Sequence, residues 1–170
     1  MAAPDPDASR ARARARETPA ERALRERAGD CICGNLRMAA RLVTAHYDAA
    51  LRPCGIEANQ MAMLWVVHAA GATPANEIAY AAGVDPSTAS RNLAVLEQRG
   101  LVRVEPSRED RRQRVVSLTG EGRGTLLRAY PRWRKAQEEV GAMTADLADL
   151  HALGRTLRRI ARRMQAGAAR

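Results

Sequence analysis

Two short helix signatures stand back to back between Thr73 and Gly122, and an arginine-studded hairpin signature follows them without a linker. No other stretch constrains the fold as much. Thr73-Pro74 reads as an N-cap with proline at the first helical position, and Asn76 to Ala82 then reads as one short helix ended by Gly83. Asp85-Pro86 repeats that start. Ala89, Leu93 and Leu96 fall at i, i+4 and i+7, so one face of the second helix is apolar until Gly100 stops it. The opposite face carries Ser87, Ser90, Arg91, Ala94 and Gln98. Serine is otherwise scarce: Ser9, Ser107 and Ser117 complete the set, so two within one helical turn carry information. Small hydroxyls and an arginine at a helix N-terminus suit entry into a DNA major groove, where short side chains let the backbone approach base edges. An ordinary capped surface helix has the same local pattern, and the segment alone does not separate the two readings.

The hairpin signature tips the balance. Leu101 to Glu105 alternates apolar and charged residues as a half-exposed strand does, Pro106-Ser107 opens a turn, and Arg114 to Leu118 reads as the returning strand. Arg99, Arg103, Arg108, Arg111, Arg112 and Arg114 crowd this region. That charge suffices to neutralise several phosphates and to place one guanidinium in a minor groove.

These residues resemble the MarR (multiple antibiotic resistance regulator) family of winged helix-turn-helix regulators. The resemblance rests on Asp85-Pro86-Ser87-Thr88-Ala89-Ser90-Arg91, on Leu96-Glu97-Gln98-Arg99-Gly100-Leu101-Val102, and on Asp110-Arg111-Arg112 followed by Ser117-Leu118-Thr119 and Gly122. It covers roughly residues 31 to 165. It implies a mainly α fold with a small β-wing, a winged helix-turn-helix flanked by long N- and C-terminal dimerisation helices. It further implies that Ser87, Thr88, Ser90 and Arg91 meet the major groove and nearby phosphates, and that Asp110 pairs with Arg112 and aims it at the minor groove. Arg108 and Arg111 complete the expected DNA-contacting set.

Composition agrees with a polyanionic partner. The 170 residues carry a formal charge of +9, and phenylalanine is absent. With two tryptophans and three tyrosines, stacking of single-stranded bases is disfavoured and duplex DNA is the expected partner. No run reaches the about 18 apolar residues that span a bilayer, and no apolar signal core opens the chain, so a cytoplasmic location and no membrane partner are expected. An enzyme of this size should show a nucleophile with its base, a metal cluster or a phosphate-cradling glycine loop. None is seen: His46, His68 and His151 have no motif around them, and Gly120-Glu121-Gly122 is too short for a nucleotide fingerprint. Neither cofactor nor metal is expected.

The flanks divide the chain further. Residues 1–29 mix Ala, Pro, Arg and acidic residues without an apolar stripe and read as a flexible tail. Residues 30–56 read as a dimerisation helix, with Leu36, Ala40, Val43, Tyr47 and Ala50 on one face and a stop at Pro53 and Gly55. The winged domain is expected over 57–122, opening with a helix from Glu57 to Ala70 that is apolar nearly all round. Residues 123–170 read as dimerisation helices, the first with Pro131 as an expected kink, the last with Leu150, Leu153, Leu157, Ile160 and Met164 stepping by 3 and 4. Such stripes favour a two-fold homodimer, whose two recognition helices would read a roughly palindromic operator.

Three cysteines, an odd number, argue against a secreted disulfide scaffold. Asp30 is placed to cap the first long helix, with Cys31 and Cys33 in its first turn, where the helix dipole favours thiolate. On a helix their side chains diverge by about 200°, so they bridge only if that turn unwinds. Cys54 sits at the other end, about 30 Å away at 1.5 Å per residue, beyond an intrasubunit bond with Cys33. By resemblance, Cys33 and Tyr47 are in register with the reactive cysteine and one supporting tyrosine of the organic hydroperoxide repressors, while Arg37 and Ala58 stand where that branch has further tyrosines. Against redox sensing stand small buried hydrophobes and metal binding with His46 or His68. The resemblance also implies a small aromatic effector, for which Tyr47, Met61, Trp65 and His68 are the pocket candidates, with core packing as the alternative. The reading as a whole is a dimeric DNA-binding regulator, a repressor released by a small phenolic ligand or by cysteine oxidation. A nonspecific architectural DNA-binding protein is its rival.

Overall fold

A computed structural model describes residues 17–107, 110, 112–147 and 149–168. Its elements, in chain order, are helices α1 (Pro19–Arg27), α2 (Ile32–Leu51) and α3 (Ala58–Ala70), strand β1 (Thr73–Pro74), helices α4 (Ala75–Ala82) and α5 (Pro86–Gln98), strands β2 (Val102–Pro106) and β3 (Arg114–Leu118), and helices α6 (Gly120–Met143) and α7 (Leu150–Ala168). The chain divides into two compact units, Met1–Leu42 and Val43–Arg170.

In the first unit, residues 1–16 of the expected tail lie outside the described residues. The remainder departs from expectation, because α1 is a helix with a complete capping box. Thr18 Oγ1 accepts the Glu21 N–H at 3.2 Å, Glu21 Oε2 accepts the Thr18 N–H at 2.7 Å, and Pro19 occupies the first turn. None of its residues is buried, so no apolar stripe announces it; caps alone mark it.

The core lies in the second unit. Helix α3, apolar on most sides, occupies its centre and buries Met61, Met63, Leu64 and Val67 against α4, α5, α6 and β3. Leu51, Ile78, Ala89, Leu93, Leu96 and Leu126 close around it. The sheet has three strands in the order β1-β3-β2, all antiparallel, where two were expected. The third comes from Thr73-Pro74, which pairs with Val116 and Val115, and the Thr73 side chain caps no helix. Thr73 is buried and its hydroxyl donates to the Gly71 carbonyl at 2.9 Å. Helix α4 therefore starts on Pro74 with no side-chain cap. Pro131 is accommodated inside α6, which runs unbroken to Met143.

Candidate nucleic-acid interface

Asp85 shapes the N-terminus of α5. Its Oδ1 accepts the Thr88 N–H at 2.9 Å and the Ser87 hydroxyl at 2.6 Å. These bonds, the Ser87 hydroxyl first, hold its carboxyl far below the usual aspartate range. The cap also fixes polarity at this end of the helix. With its proton committed to Asp85, Ser87 offers outward only acceptor lone pairs. Thr88 Oγ1 receives Arg91 Nη2 at 3.3 Å, which steadies the guanidinium over the first turn. Ser87, Ser90 and Arg91 are exposed and Thr88 is half-buried beside them, so the four helix residues expected at DNA cluster on the first turns of α5.

The wing follows the expected strands. Val102 pairs with Leu118 and Pro106 with Arg114, and the tip lies beyond that last pair. Within the tip, Ser107 N–H donates to the Gln113 carbonyl and Gln113 N–H to the Asp110 carbonyl, both at 2.9 Å. Asp110 Oδ1 accepts the main-chain N–H of Arg112 at 2.9 Å. The carboxylate therefore orders the turn's backbone, where the family resemblance implied a carboxylate–guanidinium pair; Arg112 is exposed beyond it. Arg108 and Arg111 lie outside the described residues.

Arg99 leaves the arginine group altogether. Its Nη1 donates to the Gly55 carbonyl, at the stop of α2, where Gly55 has φ +70° and any Cβ would crowd that guanidinium. Arg114 stays. With Ser90, Ala94, Glu97, Asn76 and Val104 it lines a groove of about 380 Å³ between α4, α5 and the sheet, so the exposed face of α5 and the base of the wing share one surface. Glu97 Oε1 accepts the Val104 N–H at 3.2 Å and ties the two together.

The remaining candidate residues do not assemble into one site. Met61 is core, Trp65 is edge-on to Trp133 and Tyr130 at centroid distances of 4.9 and 5.8 Å, and His68 is exposed. Tyr47 donates its hydroxyl to Gln137 Oε1 at 2.6 Å, and burial raises its pKa. Cys31, not Asp30, holds the capping position of α2: Asp30 ends a 3-10 turn, and the Gly34 N–H points to Cys31 Sγ at 3.4 Å. Cys31 and Cys33 are exposed and Cys54 is half-buried against the core. His46 Nε2 lies 3.0 Å from Glu139 Oε2 without hydrogen-bond alignment, and among the described residues no three His, Cys, Asp or Glu gather as a metal site. No helix there is long and apolar enough to cross a membrane. Two polar residues escaped the sequence reading, Gln60 inside an apolar helix and Asn92 beside the recognition face, and they hydrogen-bond to one another at 3.2 Å.

Comparison with known proteins places this arrangement. The MarR family model matches residues 55–113, from the stop of α2 to the wing tip. The transcriptional regulator MosR of M. tuberculosis, solved in complex with DNA, is 34% identical with a TM-score of 0.69, covering 80% of this chain and 97% of that one. The chain belongs to the MarR family of transcriptional regulators. The repressor CouR, bound to a 23-mer DNA duplex, is 27% identical with a TM-score of 0.59 over 85% of this chain and 96% of its own. The HTH-type regulator Hpr of Exiguobacterium sibiricum is 34% identical over 97 residues, 57% of this chain and 50% of Hpr. The chain spans about half the length of the curated relatives it matches. MarR-family membership makes it a transcriptional regulator with a winged-helix fold.

Proposed function

We propose that this MarR-family chain is a repressor that binds duplex DNA as a homodimer at a pseudo-palindromic operator. The observation that carries the proposal is the shared surface of α5 and the wing, where the capped first turn with half-buried Thr88 and exposed Ser90 and Arg91 adjoins the groove that Ser90 and Arg114 line. Helix α5 supplies major-groove readout and the wing supplies phosphate and minor-groove contacts. Ser87, acting as acceptor only, favours the amino groups of cytosine or adenine over the carbonyls of guanine or thymine. DNA complexes among its structural relatives, MosR and CouR, support duplex DNA as the partner.

Dimerisation is supported by apolar side chains left uncovered along α7. Leu153, Leu157 and Ile160 are 42%, 38% and 45% exposed at helical spacing, and a second copy is the partner whose own stripe matches. DNase footprinting of the DNA flanking the protein's own gene tests the reading. One discrete, roughly palindromic protected segment is expected. Protection without a preferred site, with affinity governed by salt alone, would instead make it an architectural protein.

Oxidation at Cys33 is the release mechanism supported by the exposure of that free thiol at the start of α2, two residues from the equally exposed Cys31. There a thiolate attacks a hydroperoxide, becoming a sulfenic acid while the peroxide is reduced to the alcohol. Peroxide treatment is expected to abolish operator binding in the wild type and not in Cys33→Ser. Unchanged wild-type binding after treatment defeats this mechanism and leaves the DNA reading standing.

A further inference from the structure

Gln60 is out of place on α3. It is 6% exposed, and its buried neighbours Met61, Met63 and Leu64 are apolar. A buried amide persists only if its hydrogen bonds are made, and both ends of this one are. Oε1 accepts the Glu57 N–H at 3.2 Å, and Nε2 donates to Asn92 Oδ1 at 3.2 Å. Asn92 Nδ2 in turn donates to the Thr88 carbonyl at 3.0 Å, one turn earlier in α5. Upstream, Asp48 Oδ1 on α2 accepts the Ala58 N–H at 2.7 Å. A polar path thus runs from the end of α2, through the cap of α3, to the residue that steadies Arg91.

Apolar packing holds α5 against α3 through Ala89, Leu93 and Leu96, but that attraction is non-directional and tolerates small rotations and slides. Two planar amides in series do not. We propose that Gln60 and Asn92 are specificity-determining positioning residues: they fix the rotation and register of α5, so that Thr88, Ser90 and Arg91 meet bases in one orientation. The inference rests on the proposed reading of α5 as the DNA-recognition helix. Neither amide is needed for attraction to phosphate, because the cationic side chains that supply it lie elsewhere. Loss of the pair therefore removes discrimination and spares nonspecific affinity.

The test is anisotropy titration of the full-length chain on two duplexes of equal length and composition: the footprinted segment and its scrambled counterpart. Gln60→Met, Asn92→Ala and the double variant are compared with wild type, and thermal melting is recorded for each. Each single variant is expected to lose about tenfold or more of its affinity for the footprinted duplex, the size of one misread base pair. Affinity for the scrambled duplex, and its salt slope, should stay within about twofold. The double variant should lose no more than the worse single, because the two amides act as one unit. Equal loss on both duplexes, or additive losses, would mark the pair as merely structural and overturn the proposal. So would unchanged affinities. Should Gln60→Met not fold, Asn92→Ala decides alone, since Asn92 is only half-buried. A wild type that binds both duplexes equally would sink the recognition-helix reading itself. A wild type that discriminates beside variants that discriminate as well would sink only the role of the pair.

Discussion

Gly122 shows how one residue holds the wing to the helical body. A methyl built there overlaps the Leu101 carbonyl oxygen, a main-chain atom just before β2, and crowds the Leu118 side chain at the end of β3. Thr119, three residues earlier, explains the closeness: its hydroxyl donates to the Gly100 carbonyl at 2.7 Å and accepts the Gly122 N–H at 3.0 Å. Gly122→Ala is expected to cost about 2 kcal/mol or more by overpacking, and Thr119→Ala about 1 kcal/mol as a lost cap. Thermal unfolding checks both; a Gly122→Ala variant as stable as wild type would mean that α6 can slide away from β2. Asp85 offers a second check at this scale. Its folded pKa is depressed, so its contribution is fully present above the unfolded value of about 3.9 and is lost only as the pH falls through the lower folded one. Carbon-13 titration of its carboxyl should show a midpoint well below that of an unfolded reference. An ordinary midpoint would show that the Ser87 and Thr88 bonds are not made in solution.

Elements with both an apolar stripe and clear start or stop residues were legible from the sequence. Helices α2, α3, α5, α6 and α7 lie where period and stop residues put them, and β2 and β3 pair as the alternation of Leu101 to Glu105 requires. Elements with only one of the two signals were not. Helix α1 has caps without a stripe, and β1 carries the same Thr-Pro pair that begins helices elsewhere; only the approach of β3 makes it a strand. Long-range pairing also diverted Arg99, whose partner Gly55 lies 44 residues away and leaves no local trace. The α5 patch was legible as a cluster because its residues are contiguous in sequence, whereas the Gln60–Asn92 bond spans 32 residues and was not. A contrast between elements follows. Arg112 stands exposed at a turn whose backbone Asp110 orders, so Arg112→Ala should weaken operator binding at least tenfold, by loss of a guanidinium carried on that ordered turn. Arg163, exposed on α7, should tolerate alanine within about twofold. The reverse ranking, in the same anisotropy assay, would mean that α7 and not the wing contacts DNA.

At the scale of the whole molecule, charge and symmetry make one joint demand. The net charge of +9 draws the chain to any duplex, so affinity alone says little about function. In the proposed dimer, symmetry would convert that attraction into site selection, because two recognition helices at fixed separation accept only matched half-sites. The uncovered apolar stripe of α7 is the feature on which that separation would depend, and a charge placed in its middle isolates the effect. Leu157→Glu leaves α5 and the wing untouched and introduces a carboxylate at a position 38% exposed in the single chain, where it is tolerated unless a second copy covers it. Light scattering at micromolar concentration should therefore report a dimer for wild type and a monomer for Leu157→Glu, with melting of the single chain little changed. The DNA data must then move together. If each copy neutralises its own phosphates, the slope of log affinity against log salt should fall by about half in the variant, since that slope is proportional to the number of contacts. Preference for the palindromic segment should disappear, leaving one half-site as good as two. A variant that stays dimeric would remove α7 from the interface. A variant that becomes monomeric yet keeps both slope and preference would show that one winged domain reads the whole site and that the apolar stripe serves some purpose other than spacing.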